Sequence, residues 1–374
     1  MGYVVGSSER RAAGTVPGLL VWRRSWGHDM LDRDRYWDCL DQAMEASSNG
    51  QTDEALAWLD EALRANPSGA EAHNSRGEIL WDNSRAEEAL EEFERAIEAD
   101  GEYQPAHLNR IEILVEEFQE HEEALDLADD LLQGTLEKPI EAEIYYLKAK
   151  ALFYLDDLEG ALFLLRRAIK IQGEVGIYRG FEGQVLFELG NFGEARRSLE
   201  RALALEPECA HSTYHMALVH EHTGQLDSAE RAFAKAARLA PELYPLPTRI
   251  DDAEFEAAAE QALRSLPEPI RKYTENCPVI VEDLPSEELV RQEFVSPQVL
   301  GLFSGVPATE PGASPTLGSL QRTDTDRILL FKRNLEKIAM TRAELVEQIQ
   351  VTVKHEIGHF LGMDEEEVER LGLA

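Results

Sequence analysis

The chain of 374 residues carries a formal net charge of -35, from 37 Lys and Arg against 72 Asp and Glu, and 43% of it is hydrophobic. That length fits two domains, or one domain beside a repeat array. A surface this acidic repels phosphate backbones and anionic lipid, which argues against nucleic acid and membrane surfaces and leaves basic proteins, basic peptides or cations as partners.

Three cysteines, Cys39, Cys209 and Cys277, are odd in number and far apart. Neither a disulfide framework nor a cysteine zinc cluster is expected, and a cytoplasmic, reducing compartment is. No apolar run approaches the ~18 residues a membrane helix needs. At the N-terminus a short apolar run lies between Arg10-Arg11 and Arg23-Arg24, is broken by Pro17 and Gly18, and ends without a small-residue cleavage site. It is therefore not expected to be a signal peptide. Residues 1–33 are expected to be a disordered extension, with Met30 a candidate for the true start.

From about Asp34 to Leu246 the sequence repeats itself. Ala55 and Ala62 recur as Ala89 and Ala96; Ala161 and Ala168 recur as Ala195 and Ala202, then as Ala229 and Ala236, each at a step of 34 residues. Pro67, Pro207 and Pro241 each follow the second alanine where a helix should stop. Gly77 and Gly183 occupy matching places in the preceding helices, and Phe93 and Phe233 in the following ones. One unit around Glu122-Glu-Ala124 is out of phase, with Leu131 where the second alanine should be.

This pattern resembles the tetratricopeptide repeat, a 34-residue helical hairpin whose small residues let two helices cross closely. The resemblance implies an all-α solenoid of about six hairpins over residues 34–249, with a concave surface that holds a protein or peptide partner. Most of the negative charge lies in this segment, so a basic partner is expected there.

Pro245-Leu-Pro247 punctuates the end of the repeats. Residues 250–374 then read as helix, strand, strand, loop, strand, helix, a small α+β domain on a mostly antiparallel sheet. The helix is Asp251 to Leu266. The strand candidates are Cys277–Pro285, ending in a turn, Leu300–Gly305 and Arg327–Arg333, and residues 306–325 form a loop rich in Pro, Gly, Ser and Thr. The strand at Ile328–Phe331 is a candidate sheet edge for an extended substrate.

The last helix opens on Thr341-Arg-Ala-Glu344, a capping-box pattern. It carries His355-Glu356-Ile-Gly-His359, the H-E-x-x-H arrangement in which two histidines four apart share a helix face and can bind one zinc ion. Glu356 is then placed to act as general base toward water. Gly362 allows a sharp turn, bringing Asp364 or Glu365 back as an oxygen ligand, so the metal set is His355, His359 and either Glu365 or Asp364.

Together with Phe255–Pro267, Val279–Pro285, Leu300–Gly305 and Ile328–Phe331, this motif is similar to the minimal zincin-like metallopeptidase family of bacteria. That resemblance implies a zinc-dependent peptidase domain of cytoplasmic type. Its members usually have aspartate ten residues beyond the first histidine, where this chain has Glu365 next to Asp364. The expected function is hydrolysis of peptide bonds, with the repeats recruiting a partner or substrate. The alternative is an interaction scaffold whose C-terminal zinc domain is non-catalytic. Arg327 and Arg333 are the candidates for stabilising an oxyanion.

Overall fold

The computed structural model describes residues 30–268, 270–271, 277–292, 295–304 and 327–363. Twelve helices come first, in six consecutive pairs: α1 (Met30–Ser48) with α2 (Thr52–Ala65), α3 (Ala70–Asp82) with α4 (Ala86–Ala99), α5 (Gln104–Ile113) with α6 (His121–Leu132), α7 (Lys138–Tyr154) with α8 (Leu158–Ile171), α9 (Gly176–Glu188) with α10 (Phe192–Leu205), and α11 (Ala210–His222) with α12 (Leu226–Leu239). The repeating alanines sit where partner helices cross. Ala55, Ala62, Ala89, Ala96, Ala161 and Ala168 are all fully buried, as close helix approach requires. Gly77 makes the same point, since a Cβ there would lie 2.5 Å from the Phe93 ring.

The third pair departs from the repeat for a definite reason. Ala124 follows Ala89 by 35 residues instead of 34, and the chain absorbs the extra residue as a π-helical turn, Leu114–Phe118, at the end of α5. A turn of i→i+5 hydrogen bonds accommodates one inserted residue inside an otherwise regular helix. Gln119 then takes a left-handed conformation, φ 57°. In α6 the second buried small residue is Ala128, and Leu131 is only half-buried.

The C-terminal part adds α13 (Asp252–Ser265), β1 (Val279–Glu282), α14 (Glu287–Gln292), β2 (Gly301–Ser304), β3 (Arg327–Phe331), α15 (Lys332–Ile338) and α16 (Arg342–Phe360). Its three strands are ordered β1-β3-β2. β1 runs parallel to β3, pairing Val279 with Ile328, while β2 runs antiparallel to it, pairing Phe303 with Ile328. The sheet is thus mixed instead of mostly antiparallel. β3 is its centre, with both sides hydrogen-bonded, so the expectation of a substrate edge at Ile328–Phe331 is wrong. The reason is in the burial: Ile328 to Phe331 are all at most 4% exposed, the profile of a strand covered on both faces. The core joins Ile328 and Leu330 to Phe255 and Ala262 of α13 and to Ile349, Val353 and Ile357 of α16.

Two compact units divide the chain, Met1–Val185 with Ala204–Pro207, and Leu186–Leu203 with Glu208–Ala374. The division falls inside the fifth helix pair, so the last repeat packs as part of the C-terminal unit. Within that unit Glu221 of α11, whose side chain is fully buried, accepts hydrogen bonds from Arg249 at 2.7 Å, Lys337 at 2.7 Å and Arg333 at 3.2 Å. Arg249 also reaches Glu336 at 2.8 Å, and Thr248 donates its backbone amide to the Glu336 carbonyl at 2.8 Å. Among the described residues no helix is long and apolar enough to cross a membrane.

Candidate metal centre

The sequence dictates both ends of α16. Thr341 accepts the Glu344 amide at 3.2 Å through its hydroxyl, and the Glu344 carboxylate accepts the amide of Met340 at 2.9 Å. The carboxylate thus reaches one residue upstream of the usual capping-box amide. At the other end Gly362 is left-handed, φ 76°. Its amide bonds the His359 carbonyl at 2.9 Å, while Met363 bonds the Gly358 carbonyl at 3.0 Å. These paired bonds form a Schellman motif, which reverses the chain directly after the second histidine.

Between those ends, the helical spacing of four stacks the two imidazoles on one face. Their Nε2 atoms converge to 3.0 Å, with ring centroids 4.7 Å apart. Two nitrogens held ~2.0–2.1 Å from one tetrahedral ion lie about 3.3 Å apart, so the donor pair fits a zinc ion with little adjustment. Glu356 lies on an adjoining face of the helix, 7% exposed, and its Oε2 accepts the Phe303 amide at 2.7 Å. The remaining site candidates, Asp364 and Glu365, lie outside the described residues, as does the loop 306–325. Among the described residues no group of three or more His, Cys, Asp or Glu side chains gathers to hold a metal.

Strand β2 matters more to the site than its short apolar run suggests. It approaches α16 so closely that a Cβ on Gly301 would lie 2.7 Å from Thr352 Cγ2 and 3.0 Å from Glu356 Cγ. Phe303 stacks edge-on against Phe360 at 5.5 Å. Gly301 in an apolar run was the available signal, because an isolated strand glycine often marks close backbone approach. Gly301→Ala is expected to lose about 1–3 kcal/mol through overpacking and to displace Glu356 from the Phe303 amide. Thermal unfolding reads the first effect, and an unchanged melting temperature would contradict it.

Neither oxyanion candidate gains support. Arg333 is engaged with Glu221 and, at 3.6 Å, with Asp283. Arg327 shares a strand face with Leu329, opposite Ile328 and Leu330, whose side chains pack with α16. Among the described residues no two cysteines form a disulfide.

Paired helical hairpins followed by an H-E-x-x-H helix against a small mixed sheet define a repeat protein with a zincin-type C-terminal domain. Comparison with known families agrees: residues 274–373 match the Zincin-like metallopeptidase family, and tetratricopeptide-repeat families match residues 40–105, 182–243 and 142–174. The chain is a tetratricopeptide-repeat array followed by a zincin-like metallopeptidase domain. The longer of the two stretches left unmatched between the repeats, 106–141, contains the π-helical turn.

Similar solved structures include the Cut9–Hcn1 hetero-tetramer of the APC/C, with 12% identity and a TM-score of 0.51 over 56% of this chain and 41% of that one. Pseudomonas aeruginosa pilF has 18% identity and a TM-score of 0.49 over 60% of this chain and 98% of that one. At 12% identity the first of these speaks only to the fold. No curated protein matches the chain.

Proposed function

We propose that the C-terminal domain is a zinc-dependent peptidase and that the repeats recruit its substrate or a partner through basic segments. The observation that carries the first half is the convergence of His355 and His359 Nε2 beside a buried Glu356. His355 and His359 would hold the ion, with Glu365 or Asp364 as third ligand. When bound, zinc supplies a Lewis acid that polarises the scissile carbonyl and acidifies the attacking water. Glu356 takes the proton from that water as its oxygen adds to the carbonyl carbon, then delivers it to the amine as the C–N bond breaks. The Phe303 amide keeps the carboxylate oriented. Among the described residues β2 pairs only with β3, and on its other side the Phe303 amide is taken by Glu356.

The second half rests on a polar track along the first helices of successive hairpins in the N-terminal unit. Asn109 donates to Asn74 at 2.9 Å and to Glu78 at 3.0 Å. Lys150 pairs with Glu116 and lies 3.8 Å from Glu112, and Tyr178 donates to Glu143 at 2.6 Å. Lys150 thus serves Glu112, Glu116 and Glu143, while Glu78 is held by the amides of Asn74 and Asn109. Burial pushes the Glu143 carboxyl up to about 7, with Glu112 adding to the shift, and burial pushes Glu78 up as well. A Lys or Arg side chain would supply the missing countercharge.

The test is metal content of the full chain together with cleavage of a mixed peptide library read by mass spectrometry. Zinc at one per chain, and cleavage that ends with chelation or in Glu356→Gln, is the expected result. Zinc without any cleavage would leave the scaffold reading in its place. For the repeats, the double variant Glu78→Lys with Glu112→Lys is expected to weaken an arginine-rich peptide roughly tenfold at low salt, and less at high salt. Wild-type affinity should rise between pH 6 and 8 as Glu143 ionises. Fluorescence anisotropy at two salt concentrations checks both, and affinity indifferent to salt and to the variant would remove the basic-partner reading.

A further inference from the structure

Strand β2 reaches Glu356 only after the segment Ser296–Leu300, and every residue of that segment is held. Glu188, the last residue of α9, accepts hydrogen bonds from Ser296 Oγ at 2.9 Å and from Gln298 Nε2 at 2.6 Å. From the opposite direction Asn334 of α15, 1% exposed, donates to the carbonyls of Pro297 at 2.9 Å and Val299 at 2.7 Å. Finally Phe331 donates its amide to the Leu300 carbonyl at 2.9 Å. Alternate residues are thus gripped by a repeat carboxylate on one side and by the sheet domain on the other.

The next residues along the chain belong to the site itself. Gly301 abuts Thr352 and Glu356, and two residues later Phe303 donates to Glu356. β2 has only four residues and, among those described, one neighbouring strand. A strand that short opens easily unless its entry is fixed. Its position along α16 decides whether the Phe303 amide meets the carboxylate, so whatever fixes residues 296–300 also fixes Glu356.

We infer that Glu188 is a positioning residue for Glu356: the repeat helix α9 sets the placement of β2 and, through the Phe303 amide, the orientation of the carboxylate. The end of α9, which belongs to the C-terminal unit, is then a working part of the catalytic domain. This rests on the peptidase reading above for its kinetic consequence, and on geometry alone for its structural one.

The experiment uses the full chain with Glu188→Ala and Glu188→Gln. Three quantities are measured: hydrogen exchange of the peptide covering 296–304, zinc content, and kcat and KM on a cleaved peptide. In Glu188→Ala, exchange across 301–304 is expected to accelerate roughly tenfold. Zinc is retained, and kcat falls roughly tenfold while KM stays within about twofold, as a sub-ångström misplacement of a catalytic group predicts. Glu188→Gln keeps an oxygen that accepts from Ser296 or Gln298 and should recover part of both effects.

A lower melting temperature with unchanged exchange at 301–304 and unchanged kcat would make Glu188 a structural joint only, and would overturn the inference. Should the alanine variant fail to fold, exchange in the glutamine variant decides the matter. If the wild-type chain cleaves nothing, the peptidase reading falls, and exchange at 301–304 still decides whether Glu188 positions the strand.

Discussion

His355→Ala is expected to bind no stoichiometric zinc, while Glu356→Gln keeps one ion per chain and loses hydrolysis. The two variants separate holding the ion from moving the proton. Only half-buried and outside the apolar core, His355 can be truncated without opening a cavity in the fold. Its Nε2, however, is one of two that meet at 3.0 Å. In the proposed three-ligand site, removing one ligand would lower affinity by several orders of magnitude, on the order of 10³ or more, because binding energy in such sites is shared among few strong donors. Glutamine at 356 has nearly the same shape and still presents an oxygen to the Phe303 amide. It cannot accept a proton, so a rate loss of about 10²–10⁴-fold is expected with little change in stability. Zinc content by mass spectrometry and cleavage rates check both. Full zinc occupancy in His355→Ala would mean that the ion sits elsewhere.

The second large effect concerns stability. Glu221→Gln is expected to destabilise the C-terminal unit by about 3–5 kcal/mol, the range seen when one partner is removed from a buried ion network. Glu221 has no exposed side-chain surface, and Arg249, Arg333 and Lys337 all aim at it. Without its charge three cations are left close together, with Glu336 and the exposed Glu230 and Asp283 as the nearby anions. Burial by itself would push the Glu221 carboxyl up; the charges of Lys337 and Arg249, with their hydrogen bonds, outweigh it and hold the group below the usual carboxylate range.

A carboxyl more acidic in the folded chain contributes stability fully above its unfolded value, ~4.3, and loses it as pH falls through the lower folded value. The wild-type chain should therefore shed this contribution in acid, and Glu221→Gln should lack that component of the pH profile. Denaturant titrations at pH 7 and in the acid range measure both, and a loss under about 1 kcal/mol at pH 7 would show that solvent already screens the cations.

Much of the architecture is local, and so is legible in the sequence. Helix crossing needs small side chains, and Ala55, Ala62, Ala89 and Ala96 announce it at a fixed step. A helix that begins at Thr341-x-x-Glu344 and ends at Gly362 places His355 and His359 on one face, whatever the rest of the chain does. These inferences use contacts between residues a few positions apart, whose geometry the backbone period sets.

What only the tertiary structure decided is non-local. Strand order is one case: Ile328–Phe331 has the same apolar character at an edge or at a centre, and pairing with both β1 and β2 made it the centre. The Phe303 amide meets Glu356 across 53 residues, and Glu188 grips Gln298 across 110. No periodicity encodes such distances, because they depend on how finished elements pack. The same holds for Glu221, which in sequence is one more acidic residue of an acidic chain, and becomes a buried anion only when α11, Arg249 and α15 close around it.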